Sequence, residues 1–280
     1  MDFVTLNNGI KMPQLGYGVY QVKNSECERC VLDAIEVGYR SIDTAQAYGN
    51  EEAVGRAVKK SGVPRSELFL TTKVWISNAG YEKAKASIEQ SLKKLGTDYI
   101  DLLLIHQPFG DYYGTWRAME DAYKIGYLRA IGVSNFYPDR LIDLCRFVEV
   151  TPAVNQVETH VFQQQKKAHE YMLKYEVQHE SWGPFAEGRK DFFTNPTLTA
   201  IGAKHGKTAA QAALRFMLQS GVVVIPKSTH KERMVQNFDV FDFQLPPEDM
   251  AAIATLDEGE SLFFSHYDPA TVEMITGLKR

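Results

Sequence analysis

The sequence alternates between short runs of β-branched and aliphatic residues and longer, charged segments with helical periodicity. This alternation predicts β-strands that are each followed by a helix. Eight strands are predicted, at residues 15–20, 41–45, 68–75, 99–106, 130–135, 153–158, 177–182 and 222–226. Helices are predicted near residues 25–37, 50–60, 81–95, 115–125, 138–148, 164–175, 195–204 and 231–238, and a further one near 208–219 precedes the last strand.

Repeated strand–helix units imply parallel strands that are joined by right-handed crossovers. Uninterrupted apolar runs, such as residues 102–105, are typical of strands buried on both faces. An open, doubly wound sheet is the competing architecture, but a closed barrel uses all eight strands and leaves no exposed edge. We therefore predict an α/β fold of the (β/α)8 TIM-barrel class, for which 280 residues are sufficient.

The two ends of the chain lie outside this pattern. The first thirteen residues, which include Asn7-Asn8-Gly9, predict a short β-hairpin in front of the barrel. The tail after Leu256 has no strong periodicity, and we expect it to form a loop. Because no linker or low-complexity tract divides the sequence, residues 1–280 are expected to form a single domain.

Composition and charge exclude several classes of function. The net charge of −4 gives no electrostatic reason to expect a nucleic acid or an anionic membrane as a partner. The sequence contains neither a signal-peptide pattern nor an apolar run long enough to span a membrane. Three cysteines, an odd and small number, are typical of a reducing cytosol. We therefore expect a cytoplasmic protein, and nothing in the sequence requires more than a monomer.

Cys27 and Cys30 form a CxxC motif, for which there are two explanations. The pair is either a redox or zinc-binding motif, or part of the buried stripe of a helix that also contains Val31, Ala34 and Ile35. No second CxxC or HxxxH motif completes a metal site. The helical stripe is the favoured interpretation, and no metal is expected.

Polar or aromatic residues interrupt the predicted strands near their carboxyl ends. In a parallel barrel these ends meet at one rim, where catalytic loops gather. The topology therefore predicts that residues far apart in sequence lie together. These residues are Asp43, Lys73, His106, Ser134, Asn135, Gln156, Trp182 and Lys227.

Four residues have the chemistry of a proton-delivery unit. Tyr48 follows the second strand, and a nearby Lys73 cation would lower its pKa and stabilise a developing phenolate. A buried lysine needs a counter-charge, which Asp43 can supply. His106 can donate a hydrogen bond to a substrate oxygen. Each residue alone has an ordinary explanation as a helix cap, surface aromatic or core histidine, so the prediction depends on their joint placement.

A nicotinamide cofactor would require a binding mode other than a Rossmann loop. Gly16-Tyr17-Gly18 lacks the third glycine of that motif. Trp182 offers a flat face for stacking, and Ser134, Asn135 and Gln156 can hydrogen-bond a carboxamide. Lys227, Ser228 and Arg233 form a candidate anion site where barrel phosphate sites commonly lie. A solvated, basic helix start is the alternative explanation for that cluster.

Five segments of the sequence carry a family resemblance. Residues 42–51 (IDTAQAYGNE), 72–75 (TKVW), 105–108 (IHQP), 131–136 (IGVSNF) and 225–228 (IPKS) resemble separate signatures of the aldo-keto reductases. The resemblance extends over essentially the whole chain. Its length and tail are similar to those of the short microbial members that resemble 2,5-diketogluconate reductase.

The resemblance implies metal-free reduction of aldehydes or ketones by NADPH. Tyr48 would be the general acid, Lys73 its partner, Asp43 the counter-ion of the lysine, and His106 the orienting donor. The implied cofactor contacts are Ser134, Asn135, Gln156, Trp182 and Gly183 for the nicotinamide, and Lys227, Ser228, Thr229, Arg233 and Asn237 for the 2′-phosphate that distinguishes NADPH from NADH. Candidate walls of the substrate pocket are Tyr20, Trp75, Phe109, Phe263, Phe264 and His266.

Several positions depart from the family pattern. Gln107 stands where many members have tryptophan, while Ile125 and Tyr127 replace charged residues beside Gly126. Glu176 stands where a glycine is usual before the seventh strand, and it costs about 1 kcal/mol or more if the position needs a positive φ. These changes bear on substrate range and stability rather than on the type of reaction.

Two other functions are compatible with parts of the pattern. A strand-end lysine such as Lys73 could form an imine with a carbonyl substrate, as in a Schiff-base lyase. A nicotinamide-binding sensor without turnover is the second alternative. The lyase leaves Trp182 and the cofactor residues unexplained, and the complete set of four proton-delivery residues argues against the sensor.

Overall fold

The computed structural model describes residues 2–278, which begin with a β-hairpin and continue as a barrel. Strands β1 (Phe3–Thr5) and β2 (Lys11–Pro13) pair antiparallel, as predicted. The eight barrel strands are β3 (Tyr17–Gly18), β4 (Ser41–Asp43), β5 (Phe69–Val74), β6 (Ile100–Ile105), β7 (Leu128–Ser134), β8 (Val154–Glu158), β9 (Gln178–Trp182) and β10 (Val223–Val224).

All neighbouring barrel strands are parallel, and their spatial order follows the chain from β3 to β10. Backbone hydrogen bonds close the sheet between its first and last strands. The Gly16 N–H donates to the Val224 carbonyl at 2.8 Å, and the Val224 N–H donates to the Gln14 carbonyl at 3.0 Å. The (β/α)8 barrel prediction is therefore confirmed, and the open sheet is excluded.

Helices surround the barrel close to their predicted positions. They are α1 (Asn24–Val37), α2 (Glu51–Lys60), α3 (Tyr81–Leu95), α4 (Tyr112–Lys124), α5 (Pro138–Phe147), α6 (Lys166–Lys174), α7 (Pro196–Lys204), α8 (Ala209–Gln219) and α9 (Lys231–Phe238). Two more helices, α10 (Pro247–Ala254) and α11 (Pro269–Gly277), were not predicted.

Helix α11 shows that the expectation of a loop throughout the tail was wrong. The Asp268 carboxylate accepts hydrogen bonds from the backbone N–H groups of Ala270 and Thr271, and Pro269 occupies the first turn. These are ordinary helix-start signals. Ile275 is buried against Trp75 and Phe109, so the helix is held at the site end of the barrel.

An apolar layer closes the opposite end of the barrel. Leu6 and Met12, from the hairpin, belong to the same buried cluster as Leu102, Leu104 and Val223 from the barrel strands. Each of these side chains is at most 3% exposed. Asp43 and Lys73, which are buried polar residues, lie instead at or near the carboxyl ends of β4 and β5.

The CxxC residues are part of a helix packing surface, as favoured. Cys27 and Cys30 are fully buried on α1 with Val31 and Ala34, and Ile35 completes the stripe. Within residues 2–278, no group of three or more His, Cys, Asp or Glu side chains is arranged to hold a metal ion. None of the helices in that range combines the length and apolarity needed to cross a membrane.

Glu176 adopts the strained backbone conformation anticipated from the sequence. It follows α6 with φ of 56°. The backbone N–H of Glu176 donates to the Leu173 carbonyl, and that of Val177 donates to the Met172 carbonyl. Helix α3 ends with the same hydrogen-bond pattern, but there the left-handed residue is Gly96, with φ of 63°. Glycine carries no Cβ penalty in this conformation, whereas glutamate does.

We expect Glu176→Gly to raise the free energy of unfolding by about 1 kcal/mol, because it removes the left-handed strain at an exposed position. Gly96→Glu, which places the strain at the matched site, should lower it by a similar amount. Urea denaturation of the three proteins measures both changes. A Glu176→Gly variant no more stable than the parent would contradict this account.

Candidate active site

Residues from six barrel strands or the loops that follow them converge at the carboxyl-terminal rim. Asp43 and Trp182 end β4 and β9, and Lys73 lies one residue before the end of β5. His106 follows β6, Ser134 ends β7, and Gln156 lies in β8, where it pairs in register with Ser134. The rim predicted from strand ends is therefore present.

Lys73 and Asp43 form a buried ion pair. The Lys73 side chain is completely buried, and its Nζ donates to Asp43 Oδ1 at 2.5 Å and to the Thr44 carbonyl at 2.9 Å. Burial is the largest single effect on the pKa of Lys73 and disfavours the ammonium. The charges of Asp43, Tyr48 and Glu180 and the hydrogen bond to Asp43 together outweigh it, so the pKa of Lys73 is raised. Lys73 therefore remains a cation at neutral pH.

Tyr48 lies beside this ion pair, in a single helical turn formed by Gln46–Tyr48. The Lys73 Nζ is 5.2 Å from the centre of the Tyr48 ring. Burial raises the pKa of Tyr48 to about 12, although the Lys73 charge acts in the opposite direction. Lys73 therefore lowers the pKa of Tyr48, as expected, but burial raises it by more. A phenol with this pKa remains protonated at neutral pH.

His106 completes the group of four predicted residues. Its ring meets the edge of Tyr48 at a centroid distance of 5.6 Å and that of Trp75 at 5.0 Å. The backbone carbonyl of His106 accepts a hydrogen bond from Asn135 Nδ2 at 3.0 Å. Tyr48 also contacts Tyr20, with ring centroids 5.0 Å apart. An imidazole, a phenol and an ammonium are therefore gathered in one small region.

Ser134, Asn135 and Trp182 form a hydrogen-bonded wall next to this region. Asn135 Nδ2 donates to Ser134 Oγ at 3.1 Å, and Asn135 Oδ1 accepts from the Trp182 indole N–H at 2.8 Å. Ser134 Oγ donates to the Gln156 backbone carbonyl at 2.8 Å. Gly183 follows Trp182 with φ of 64°, which favours glycine. The half-buried Trp182 ring is consequently held in a fixed position.

Gln156 joins this wall to the ion pair. Its Nε2 donates to Asp43 Oδ2 at 2.9 Å and to Glu180 Oε2 at 3.0 Å. Within residues 2–278, Oε1 of Gln156 accepts no hydrogen bond. An acceptor in that position suits the amide N–H of a nicotinamide carboxamide, so Gln156 fits the predicted cofactor.

The predicted anion-binding residues lie before α9 and along it. Lys227, Ser228 and Thr229 precede the helix, Arg233 is in its first turn, and Asn237 is near its C-terminal end. Ser228 and Asn237 are buried, Thr229 is half-buried, and Lys227 and Arg233 are exposed. Ser228 Oγ accepts from the His230 N–H at 3.1 Å, and no side chain within residues 2–278 caps the N-terminus of α9. Two exposed cations beside uncapped helix N–H groups fit a phosphate.

The predicted pocket walls come from the loops and the tail. Trp75, Phe109 and Phe264 belong to one apolar cluster, and Trp182 contacts Phe263 and stacks on Phe264. His266 is buried and shares a hydrogen bond of 2.6 Å with Gln107 Oε1. Burial and the nearby Arg140 lower the pKa of His266 to about 4, so its ring is neutral at neutral pH.

Two features of the site were missed by sequence reasoning. The contact between Gln107 and His266 joins positions 159 residues apart, and no local pattern indicates it. Glu180, which bonds to Gln156, is completely buried inside the barrel. Its only sequence signal is a position two residues before Trp182 on the same strand, which places both side chains on one face.

The geometry disfavours the Schiff-base alternative. An imine-forming lysine must reach substrate as a neutral amine. Lys73 is instead inaccessible, cationic and engaged by Asp43 and Thr44.

Comparisons with known proteins agree with the geometry. The profile of the aldo/keto reductase family matches residues 9–258. The chain is 49% identical to the glyoxal reductase of Bacillus subtilis, over 92% of this chain and 94% of that one. Similar solved structures include an aldo-keto reductase from a deep-sea metagenome library, MGS-M4 (TM-score 0.93, 46% identity, covering 95% and 98% of the two chains), and the D53A mutant of Gox0644 in complex with NADPH (TM-score 0.87, 38% identity, 91% and 93%).

Breaking the buried ion pair should destabilise the protein strongly. We expect Asp43→Asn to lower the free energy of unfolding by about 3 kcal/mol, because it removes the direct counter-charge of a buried ammonium. The double variant Asp43→Asn/Lys73→Met should lose less than the sum of its two single changes. Urea denaturation measures the free energy of unfolding of each variant. The control is Glu149→Gln, which removes the exposed partner of Lys124 and should change stability by less than about 1 kcal/mol. Additive losses at Asp43 and Lys73 would contradict the coupling.

Proposed function

The chain belongs to the aldo/keto reductase family, and we propose that it reduces aldehydes and ketones to alcohols with NADPH, using Tyr48 as the general acid. The observation that carries the proposal is the position of the Tyr48 phenol, between the Lys73–Asp43 ion pair and the His106 ring. Of the four residues predicted for proton delivery, Tyr48 carries a neutral, donatable proton beside the Lys73 cation.

In the proposed mechanism, Tyr48 holds its proton until negative charge develops on the carbonyl oxygen. The high pKa of the phenol keeps it protonated before reaction. Lys73 then stabilises the phenolate left behind, and Asp43 keeps the lysine charged and in place. His106 donates a hydrogen bond that orients the carbonyl oxygen toward the tyrosine.

NADPH, when bound, supplies the hydride that reaches the carbonyl carbon. Gln156 and the Ser134–Asn135 wall would hold its carboxamide, with the Trp182 ring stacked on the nicotinamide beside Gly183. The 2′-phosphate would be held at α9, by Lys227, Ser228, Thr229 and Arg233 at the start of the helix and by Asn237 near its C-terminal end. The D53A mutant of Gox0644, a similar structure, was solved in complex with NADPH, which supports NADPH as the cofactor.

The substrate class is proposed to be small carbonyl compounds, including 1,2-dicarbonyls. A similar protein is a glyoxal reductase, and the proposed pocket is walled by aromatic rings from Tyr20, Trp75, Phe109, Phe263 and Phe264. The Gln107–His266 pair adds a polar element to that wall, which suits a substrate with a second oxygen.

We further propose that residues 1–280 act as one domain and as a monomer in the cytoplasm. One closed barrel carries every residue of the proposed site, which supports a single domain that needs no partner subunit. All three cysteines are free, as is typical of a reducing compartment. The cofactor-binding sensor remains an outcome of the tests below, because it predicts NADPH binding without turnover.

Tyr48→Phe should lower the turnover of glyoxal and other small aldehydes by about 10²–10⁴-fold, because it removes the proton donor. NADPH binding should persist, since the phenol is not a proposed cofactor contact. NADPH consumption measures turnover, and cofactor fluorescence measures binding. Tyr81→Phe, at a half-buried tyrosine whose hydroxyl donates to Asp121, is the matched control and should turn over normally. Binding of NADPH by a parent that reduces no carbonyl compound would support the sensor instead.

Lys227→Ala and Arg233→Ala should each weaken NADPH binding by about tenfold, because each removes one charged contact to the 2′-phosphate. NADH binding should change little. Lys231→Ala is the matched control from the same helix start, because its ammonium is already paired with Glu36 at 2.7 Å. Dissociation constants for both cofactors test the assignment, and equal losses for NADPH and NADH would overturn it.

A further inference from the structure

Glu180 is a buried carboxyl group that the proposed mechanism does not use. It lies in the middle of β9, is completely buried, and pairs in register with Gln156 of β8. Its Oε2 accepts a hydrogen bond from Gln156 Nε2 at 3.0 Å, and its Oε1 has no hydrogen-bond partner among residues 2–278. A buried carboxyl group is costly to retain, so its contact with Gln156 requires an explanation.

The Gln156 amide nitrogen is held between two carboxyl groups. It has two N–H donors, and Asp43 Oδ2 and Glu180 Oε2 each accept from it. If the amide were reversed, its carbonyl oxygen would face the Asp43 carboxylate, and the two acceptors would repel each other. The orientation of the amide is therefore set by its neighbours, and Oε1 is turned away from both of them.

We propose that Glu180 is a positioning residue, which together with Asp43 fixes the Gln156 amide so that its Oε1 is presented to the carboxamide N–H of the cofactor. The inference rests on the proposed function, because it assumes that a nicotinamide lies over Gln156. Glu180 itself does not touch the cofactor and acts only through Gln156.

The contact is available in both protonation states of Glu180. Burial and the charge of Asp43 raise the pKa of Glu180 to about 8, so its carboxyl group is largely protonated at neutral pH. A protonated carboxyl group still accepts an amide N–H through its carbonyl oxygen. A glutamine at this position could accept in the same way, whereas an apolar residue could not.

The test compares two variants of similar size. Glu180→Met removes the acceptor, and Glu180→Gln keeps it. We expect Glu180→Met to weaken NADPH binding about fivefold, the effect of losing one neutral hydrogen bond, and Glu180→Gln to stay within about twofold of the parent. Binding of adenosine 2′,5′-bisphosphate, which lacks the nicotinamide, should be unchanged in both variants. A general structural defect would instead weaken the binding of this fragment and the binding of NADPH alike.

A second pair of variants shows whether Glu180 acts through Gln156. Gln156→Met should weaken NADPH binding but not fragment binding, and Gln156→Met/Glu180→Met should bind NADPH no more weakly than Gln156→Met alone. Normal NADPH binding by Glu180→Met, or a loss that adds fully to that of Gln156→Met, would overturn the role of Glu180 and leave the proposed function intact. Normal NADPH binding by Gln156→Met would instead overturn the nicotinamide placement, and the role of Glu180 with it.

Discussion

The buried ion pair between Lys73 and Asp43 is the interaction on which the rest of the site depends. An ammonium without solvent contact is tolerated only next to a counter-charge, and Asp43 provides it at 2.5 Å. The second oxygen of the same carboxylate accepts from Gln156. One aspartate therefore contacts both the cation beside Tyr48 and the Gln156 amide, so a shift of Asp43 would disturb both groups together.

The barrel makes this arrangement possible by separating apolar and polar side chains along its axis. Leu6 and Met12 close one end together with apolar residues of the strands. The charged and amide groups of the candidate site lie toward the other end, where strands far apart in sequence meet. Helix α11 of the tail packs at this end, where Ile275 contacts Trp75 and Phe109. The closed end stabilises the fold, and the open end is left for chemistry.

The sequence predicts most of this organisation, because its strongest signals are local. Strand–helix alternation predicts the barrel, and the strand-end rule predicts that Asp43, Lys73 and Gln156 share a rim. Helix α11 was missed because its nine residues have weak periodicity, although Asp268 and Pro269 mark its start. The contact of Glu180 with Gln156 depends on the register between two barrel strands. The contact of His266 with Gln107 depends on the packing of loops that are more than a hundred residues apart in sequence. No local sequence pattern encodes either contact.

The balance of charge in the barrel interior links Glu180 to the Lys73–Asp43 ion pair. Burial and the charge of Asp43 raise the pKa of Glu180 to about 8, so its carboxyl group is largely neutral at neutral pH. A second full negative charge in this layer would be repelled by the Asp43 carboxylate. A neutral Glu180 can therefore accept a hydrogen bond from Gln156 without opposing the carboxylate on which the buried Lys73 depends.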